Sequence, residues 1–251
     1  MTYILVTNDD GVQSPGILAL ATAMRTLADV QVVAPAINQS AVGHKKTLFQ
    51  DIPVNETKLA DDTPALAVGG SPADCIAMSA LGLAQWPPNL VVSGINRGAN
   101  MGQDITYSGT VTAALEAAIQ GVPALAVSFT YFNAQDKAED YAEAARVAVI
   151  VARKLLDKGL PPLTILNLNI PPMTPVKGIR LTRQGIRFYN DELARDGNIY
   201  RIVGPVPTGN VDEEGTDLWA AHNGYASLTP LHLDLTAHRF LADLAAWDIT
   251  V

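Results

Sequence analysis

Hydrophobic positions along the chain fall into two textures. Through the first two-thirds, short runs of strand-forming residues alternate with stretches in which apolar side chains recur at helical spacing. "YILVT" (3–7) is the first run, and a helix is predicted from Pro15 to Leu27, with Ile17, Leu18, Leu20, Ala21 and Met24 on one side. "VQVVA" (30–34) is the next strand. Ser71-Pro72-Ala73-Asp74 then offers an N-cap, a proline at the first helical position and an acid at the third, predicting a helix to Leu83. "LVVS" (90–93) precedes a helix from Gly109 to Gln120, with Gly121 placed to cap its end. "ALAVS" (124–128), a helix from Asp136 to Lys158 and "TILNLNI" (164–170) complete the series.

Strands with apolar residues on both faces need cover on both sides. Helices between them supply it, so the prediction is an α/β fold: a doubly wound parallel sheet of Rossmann-like type. After Pro171-Pro172 the texture changes to short strand-like pieces ("GIRLTR", "NIYRIVG", "YASLTPL"), several Gly and Pro, and one terminal helical pattern over 234–247. Two regions are expected: an α/β catalytic core at 1–172 and a smaller β-rich extension at 173–251, read as an oligomerisation arm.

Composition narrows the partners. The 251 residues carry a formal net charge of −8, and the compact basic cluster is His44-Lys45-Lys46, so a groove for long nucleic acid is not expected. A small anion is still within reach, because local donors or a metal outweigh the global charge. One cysteine, Cys75, allows no intrachain disulfide and no thiolate cage; its apolar neighbours mark it as a core residue. The amino terminus has no basic-then-apolar leader, and Arg146, Arg153 and Lys154 interrupt the most apolar helical stretch. A cytoplasmic protein without a membrane segment is expected.

Ligands of open α/β sheets sit beyond the carboxyl ends of the strands. The first strand runs into Asn8, Asp9, Asp10 and Gly11, and the second into a loop with Asn38, Ser40 and His44. "LVVS" runs into "GINRGANMGQDITYSGT", with Asn96, Asn100, Asp104, Ser108, Gly109 and Thr110. Singly, each is explained by turns and caps. Together, oxygen donors from three loops meet at one sheet edge. Adjacent carboxylates with Ser and Asn oxygens form a hard, all-oxygen set that suits Mg²⁺ or Mn²⁺. Ser108-Gly109-Thr110 at a helix start presents N–H groups, hydroxyls and the positive end of the helix dipole, a cradle for phosphate. A metal beside such a cradle implies phosphoryl chemistry.

The loops resemble those of the SurE (stationary-phase survival protein) family of metal-dependent nucleotidases. The matching segments are "TNDDG" (7–11), "AP…NQSAVGH" (34–44), "SGINRGANMGQDITYSGTVTAALEAA" (93–118), "LTRQG" (181–185) and "GTDLWAAHNGYASLTPLHLDLTA" (215–237). The resemblance implies removal of phosphate from nucleoside 5′- and 3′-monophosphates, with short polyphosphate as a further substrate in some members. It implies one divalent metal per subunit on Asp9, Asp10, Ser40 and Asn96, with Asp9 or Asp10 orienting the attacking water. Substrate phosphate is implied near Asn96, Ser108, Gly109 and Thr110. Homodimers or homotetramers with exchanged carboxyl-terminal segments are also implied. Asn8, His44 and Asn100 stand as further candidate substrate contacts, His44 being equally compatible with a plain loop role.

Other readings fare worse. Phosphatases that form an aspartyl-phosphate separate their two aspartates by one residue, whereas Asp9 and Asp10 are contiguous. A receiver domain needs an Asp and a Lys where this chain has Ser93-Gly94-Ile95-Asn96 and Ser128-Phe129. A non-catalytic nucleotide-binding protein would use the same loops without turnover.

Overall fold

The computed structural model describes residues 2–131, 136–247 and 249. In chain order the elements are β1 (Tyr3–Thr7), α1 (Pro15–Met24), β2 (Asp29–Pro35), β3 (Val54–Lys58), β4 (Pro64–Val68), α2 (Pro72–Met78), β5 (Leu90–Arg97), α3 (Gly109–Ile119), β6 (Ala124–Phe129), α4 (Ala142–Lys158) and β7 (Thr164–Ile170). Beyond residue 172 come β8 (Ile179–Leu181), β9 (Arg187–Phe188), β10 (Glu192–Asp196), β11 (Ile199–Val203), β12 (Thr208–Gly209), α5 (Asp217–His222), β13 (Ala226–His232) and α6 (His238–Ala245).

Nine strands form one sheet in the order β3-β4-β2-β1-β5-β6-β7-β13-β8. The stretch from β4 through β7 is parallel throughout, and β3 and β13 run antiparallel to their neighbours β4 and β7. The alternation along β1 shows why the chain is doubly wound. Ile4 and Val6 pack with Ile17, Leu20 and Met24 of α1 and with Ala144, Val147 and Val151 of α4. Tyr3 and Leu5 point the other way, onto Cys75 and Ile76 of α2 and Val111 and Ala114 of α3. Both faces are dry, as a parallel sheet requires.

The α/β reading stands, with corrections at the margins. Strands β3 and β4 were not expected: β3 is a polar edge strand, and β4 begins at Pro64 with two alanines among its five residues, so neither shows the β-branched run that marks a buried strand. The first helix stops at Met24 instead of Leu27, and the residues after it form turns. The second keeps its predicted capping box, Ser71 with Asp74, but its α-helical part ends at Met78 in a π turn over 79–83. The fourth begins at Ala142 after a single 3₁₀ turn, and the terminal one is shorter, His238–Ala245. Chain beyond residue 172 also returns to the main sheet, as β13 and β8. Among the described residues no helix is long and apolar enough to cross a membrane.

Candidate active site

In the parallel stretch, chain order reverses between β1 and β5: β2 and β4 lie to one side of β1, and β5, β6 and β7 to the other. That is the switch point of an open α/β sheet, where a crevice opens beyond the carboxyl ends. Asp9 and Asp10 stand at it.

Asp9 is almost fully buried, 3% exposed. Its Oδ1 accepts a hydrogen bond from the Thr110 hydroxyl, and the Thr110 backbone N–H also supports the carboxylate. Its carbonyl accepts from Gln39 N at 2.7 Å, which ties the loop after β2 to the end of β1. Asp10 is half-buried, and its Oδ2 accepts from the backbone N–H of Arg97 at 2.9 Å. The loop after β2 and both ends of the β5–α3 connection therefore converge on the pair. Burial pushes Asp9 up to about 6, the Thr110 hydroxyl works against it, and the charge of Asp10 adds to it. Asp10 is raised too, by burial first; the Arg97 N–H and charge oppose this and the Asp136 charge reinforces it.

Glycine permits the close approach. A Cβ at Gly109 would lie 2.7 Å from Asp9 Cβ and 3.0 Å from Asp9 Oδ2, so the first turn of α3 abuts the carboxylate. Ser108 caps that helix, its Oγ accepting from Val111 N at 3.0 Å. With Val111 capped and Thr110 turned to Asp9, the first-turn donors left for a ligand are the Gly109 N–H and the Ser108 hydroxyl proton.

The remaining candidates separate into those at the pair and those away from it. Asn96 is the last residue but one of β5, beyond a register shift; its Nδ2 donates to Gly98 O at 3.0 Å, and among the described residues nothing donates to its Oδ1. Ser40 is exposed, one residue from the Gln39 tether, with its N–H bonded to Asn38 Oδ1 at 2.7 Å. Asn8 is fully buried and holds the Gly11 turn and the α1 cap through Gly11 O and Ser14 Oγ; its Oδ1 has no partner among the described residues. His44 lies against Glu116 on α3, Nε2 to Oε2 3.1 Å. Asn100 is buried in a polar knot with Asn167, Asn169 and Ser128, so its side chain anchors the loop to β6 and β7. Tyr107, in the same connection, is 60% exposed.

A cleft of about 280 Å³ opens beside Asp10, bounded by Ser14, Ile37, Arg97, Asp136 and Tyr141. A larger groove of about 830 Å³ lies at the far edge, along β2, β3 and β4. Arg97 and Asp136 escaped the sequence reading. Arg97 acts first through its backbone, and its side chain reaches Asp136 at 3.4 Å, 39 residues away, which no local pattern signals.

Comparison with known proteins shows the family. A family model described as "Survival protein SurE" matches residues 4–191. The chain belongs to the SurE family. It is 48% identical to "5′-nucleotidase SurE" of Chloroflexus aggregans, covering 98% of this chain and 99% of that one. It is 46% identical to "5′-nucleotidase SurE 1" of Thermus thermophilus, over 96% of each. The crystal structure of the SurE protein from Aquifex aeolicus superposes with a TM-score of 0.79 at 40% identity, over 97% of this chain and 98% of that chain. The SurE family match includes every loop that builds the site.

Proposed function

We propose that this chain is a divalent-metal-dependent phosphomonoesterase that hydrolyses nucleoside 5′-monophosphates, and also 3′-monophosphates and short polyphosphate. The names of its relatives support the first substrate class. The observation that carries the reading is the fixing of two adjacent carboxylates, by donors from the two ends of the β5–α3 connection, directly against the first turn of α3.

The donor set fits a hard divalent cation. Among the described residues no three His, Cys, Asp or Glu cluster as a softer site would need, and Asp9, Asp10, Asn96 and Ser40 offer oxygen alone. Buried Asp9 beside Asp10 is raised in pKa, and a cation there would relieve both its burial and the repulsion. Those four residues would hold one Mg²⁺ or Mn²⁺, which when bound supplies a polarised phosphoryl oxygen and an acidified water.

The chain's own residues do the rest. Thr110 occupies Asp9 Oδ1 and leaves Oδ2 to orient the attacking water and take its proton, with Asp10 as the other candidate for that role. The Gly109 N–H and Ser108 hydroxyl donate to phosphate oxygens as charge builds on them in the transition state. Asn8 steadies the turn that presents both aspartates. No covalent phospho-enzyme forms. We take the compartment to be the cytoplasm, which the lone buried Cys75 supports. Residues 173–251 are taken as the extension through which copies assemble into dimers or tetramers with exchanged carboxyl-terminal segments.

Asp9→Asn tests the metal assignment. Phosphate release should fall by about a hundredfold or more. Melting temperature without metal should hold or rise, because a costly buried charge is gone. Full activity in the variant would refute the assignment.

A further inference from the structure

Between β5 and α3 the chain crosses Gly98 to Tyr107 with only one 3₁₀ turn, Gly102–Thr106, yet it delivers Ser108 and Gly109 at a fixed place. Asn100 anchors its near end to the sheet. The 3₁₀ turn itself is held from the other side, by residues that lie beyond 172 in sequence. Asp217, at the start of α5, is fully buried. Its Oδ2 accepts from Gly102 N at 2.9 Å, and its Oδ1 accepts from Gly185 N and Leu218 N, each at 2.8 Å. One carboxylate thus ties α5 to two other segments, at Gly102 and Gly185, through charge-assisted bonds.

The fit around it is close. Gly102 has φ +54, and a Cβ there would meet Gly185 O at 3.1 Å. A Cβ on Gly185 would meet Asp217 Oδ1 at 3.0 Å and Leu218 Cδ1 at 2.8 Å. Gln184 Nε2 donates to Gly102 O at 3.1 Å. One turn on, Asp104 accepts from Arg187 Nε at 2.8 Å and from the Tyr189 hydroxyl, while Arg187 N donates to Gln103 Oε1 at 2.8 Å. A charge with no exposed surface is tolerated only when its partners satisfy it, and here all of them are backbone donors, one of them Gly102 of the 3₁₀ turn.

We infer that Asp217 is a positioning residue for phosphate handling: it clasps the Gly102–Thr106 turn and thereby sets where Ser108 and the Gly109 N–H meet the substrate. The inference rests on the nucleotidase reading. Asp217 touches neither substrate nor metal ligands; it acts through Gly102. A purely structural role would lower stability without singling out phosphate.

The test is Asp217→Asn in the full chain. Asparagine keeps the shape but replaces one accepting oxygen with a donor that faces a backbone N–H. With Mn²⁺ present, KM for a nucleoside monophosphate and the Kd for inorganic phosphate, measured by calorimetry, should both rise about tenfold, because small misplacements weaken oriented contacts. The kcat should change far less, and Mn²⁺ affinity should stay at the wild-type value. Unchanged KM and phosphate Kd in the folded variant would overturn the proposal, as would a parallel loss of Mn²⁺ affinity. If Asp217→Asn does not fold, Arg187→Ala loosens the same turn through Asp104, and an unchanged phosphate Kd there overturns the proposal equally. Phosphate binding needs no turnover. Absence of phosphate release by wild type would therefore count against the nucleotidase reading alone, and an unchanged Kd against the clasp alone.

Discussion

Glu116 shows how single residues hold the loops of this site. Its side chain, 3% exposed, lies on α3 and takes His44 Nε2, Lys46 Nζ and Gln120 Nε2, each at 3.1 Å. Burial pushes its carboxyl up, but the three hydrogen bonds and the Lys46 charge outweigh burial and bring it from 4.5 down to about 2. A depressed carboxyl stabilises the fold fully above its unfolded pKa and loses that contribution as pH falls toward the folded value. Stability should therefore drop on the order of 2 kcal/mol between about pH 4.5 and pH 2 on this account, and Glu116→Gln should flatten that part of the curve. Urea melts across that range, wild type against variant, check it; parallel curves would contradict the assignment. The positions of Asp9, Asp10 and Ser40 after β1 and β2, and of Asn96 near the end of β5, were legible from sequence because each lies by a recognisable strand. The His44–Glu116 pair was not: its members stand 72 residues apart, and the histidine alone reads equally well as a ligand or a loop residue.

Elements were legible in proportion to how far their own residues decide them. β1, β5, β6 and β7 carry runs of buried apolar residues and announce themselves. β4 is a strand because β2 and β3 flank it, a tertiary cause that its alanines do not display. The β10–β11 hairpin is the opposite case: it pairs over five residues a side, every one exposed. Leu193 faces Ile202 across it, 67% and 80% exposed. A lone two-stranded hairpin is marginal in water, and an apolar pair on it calls for cover. If another copy of the chain supplies that cover, Leu193→Glu with Ile202→Glu should give a smaller species by light scattering after gel filtration. Equal masses for wild type and variant would remove the hairpin from the interface.

At the scale of the molecule, a chain with net charge −8 is proposed to bind an anion. The global field opposes this, so the attraction must be local: a cation on the carboxylates and the N-terminus of α3 beside them. The switch point brings these together because three loops leave neighbouring strands there. The Asp217 clasp lay outside any sequence reading, since it joins residues 115 positions apart, yet it ties the carboxyl-terminal third to the connection that leads into α3.

The most direct measurement is phosphate release from a panel of nucleoside 5′- and 3′-monophosphates, with Mg²⁺ or Mn²⁺ and again with excess EDTA. The account predicts release that requires metal, stops with chelator and returns when metal is restored. Undiminished release in EDTA would contradict the metal assignment at Asp9 and Asp10. Nucleotide binding without release under any of these conditions would mean a protein that holds its ligand and leaves the ester intact.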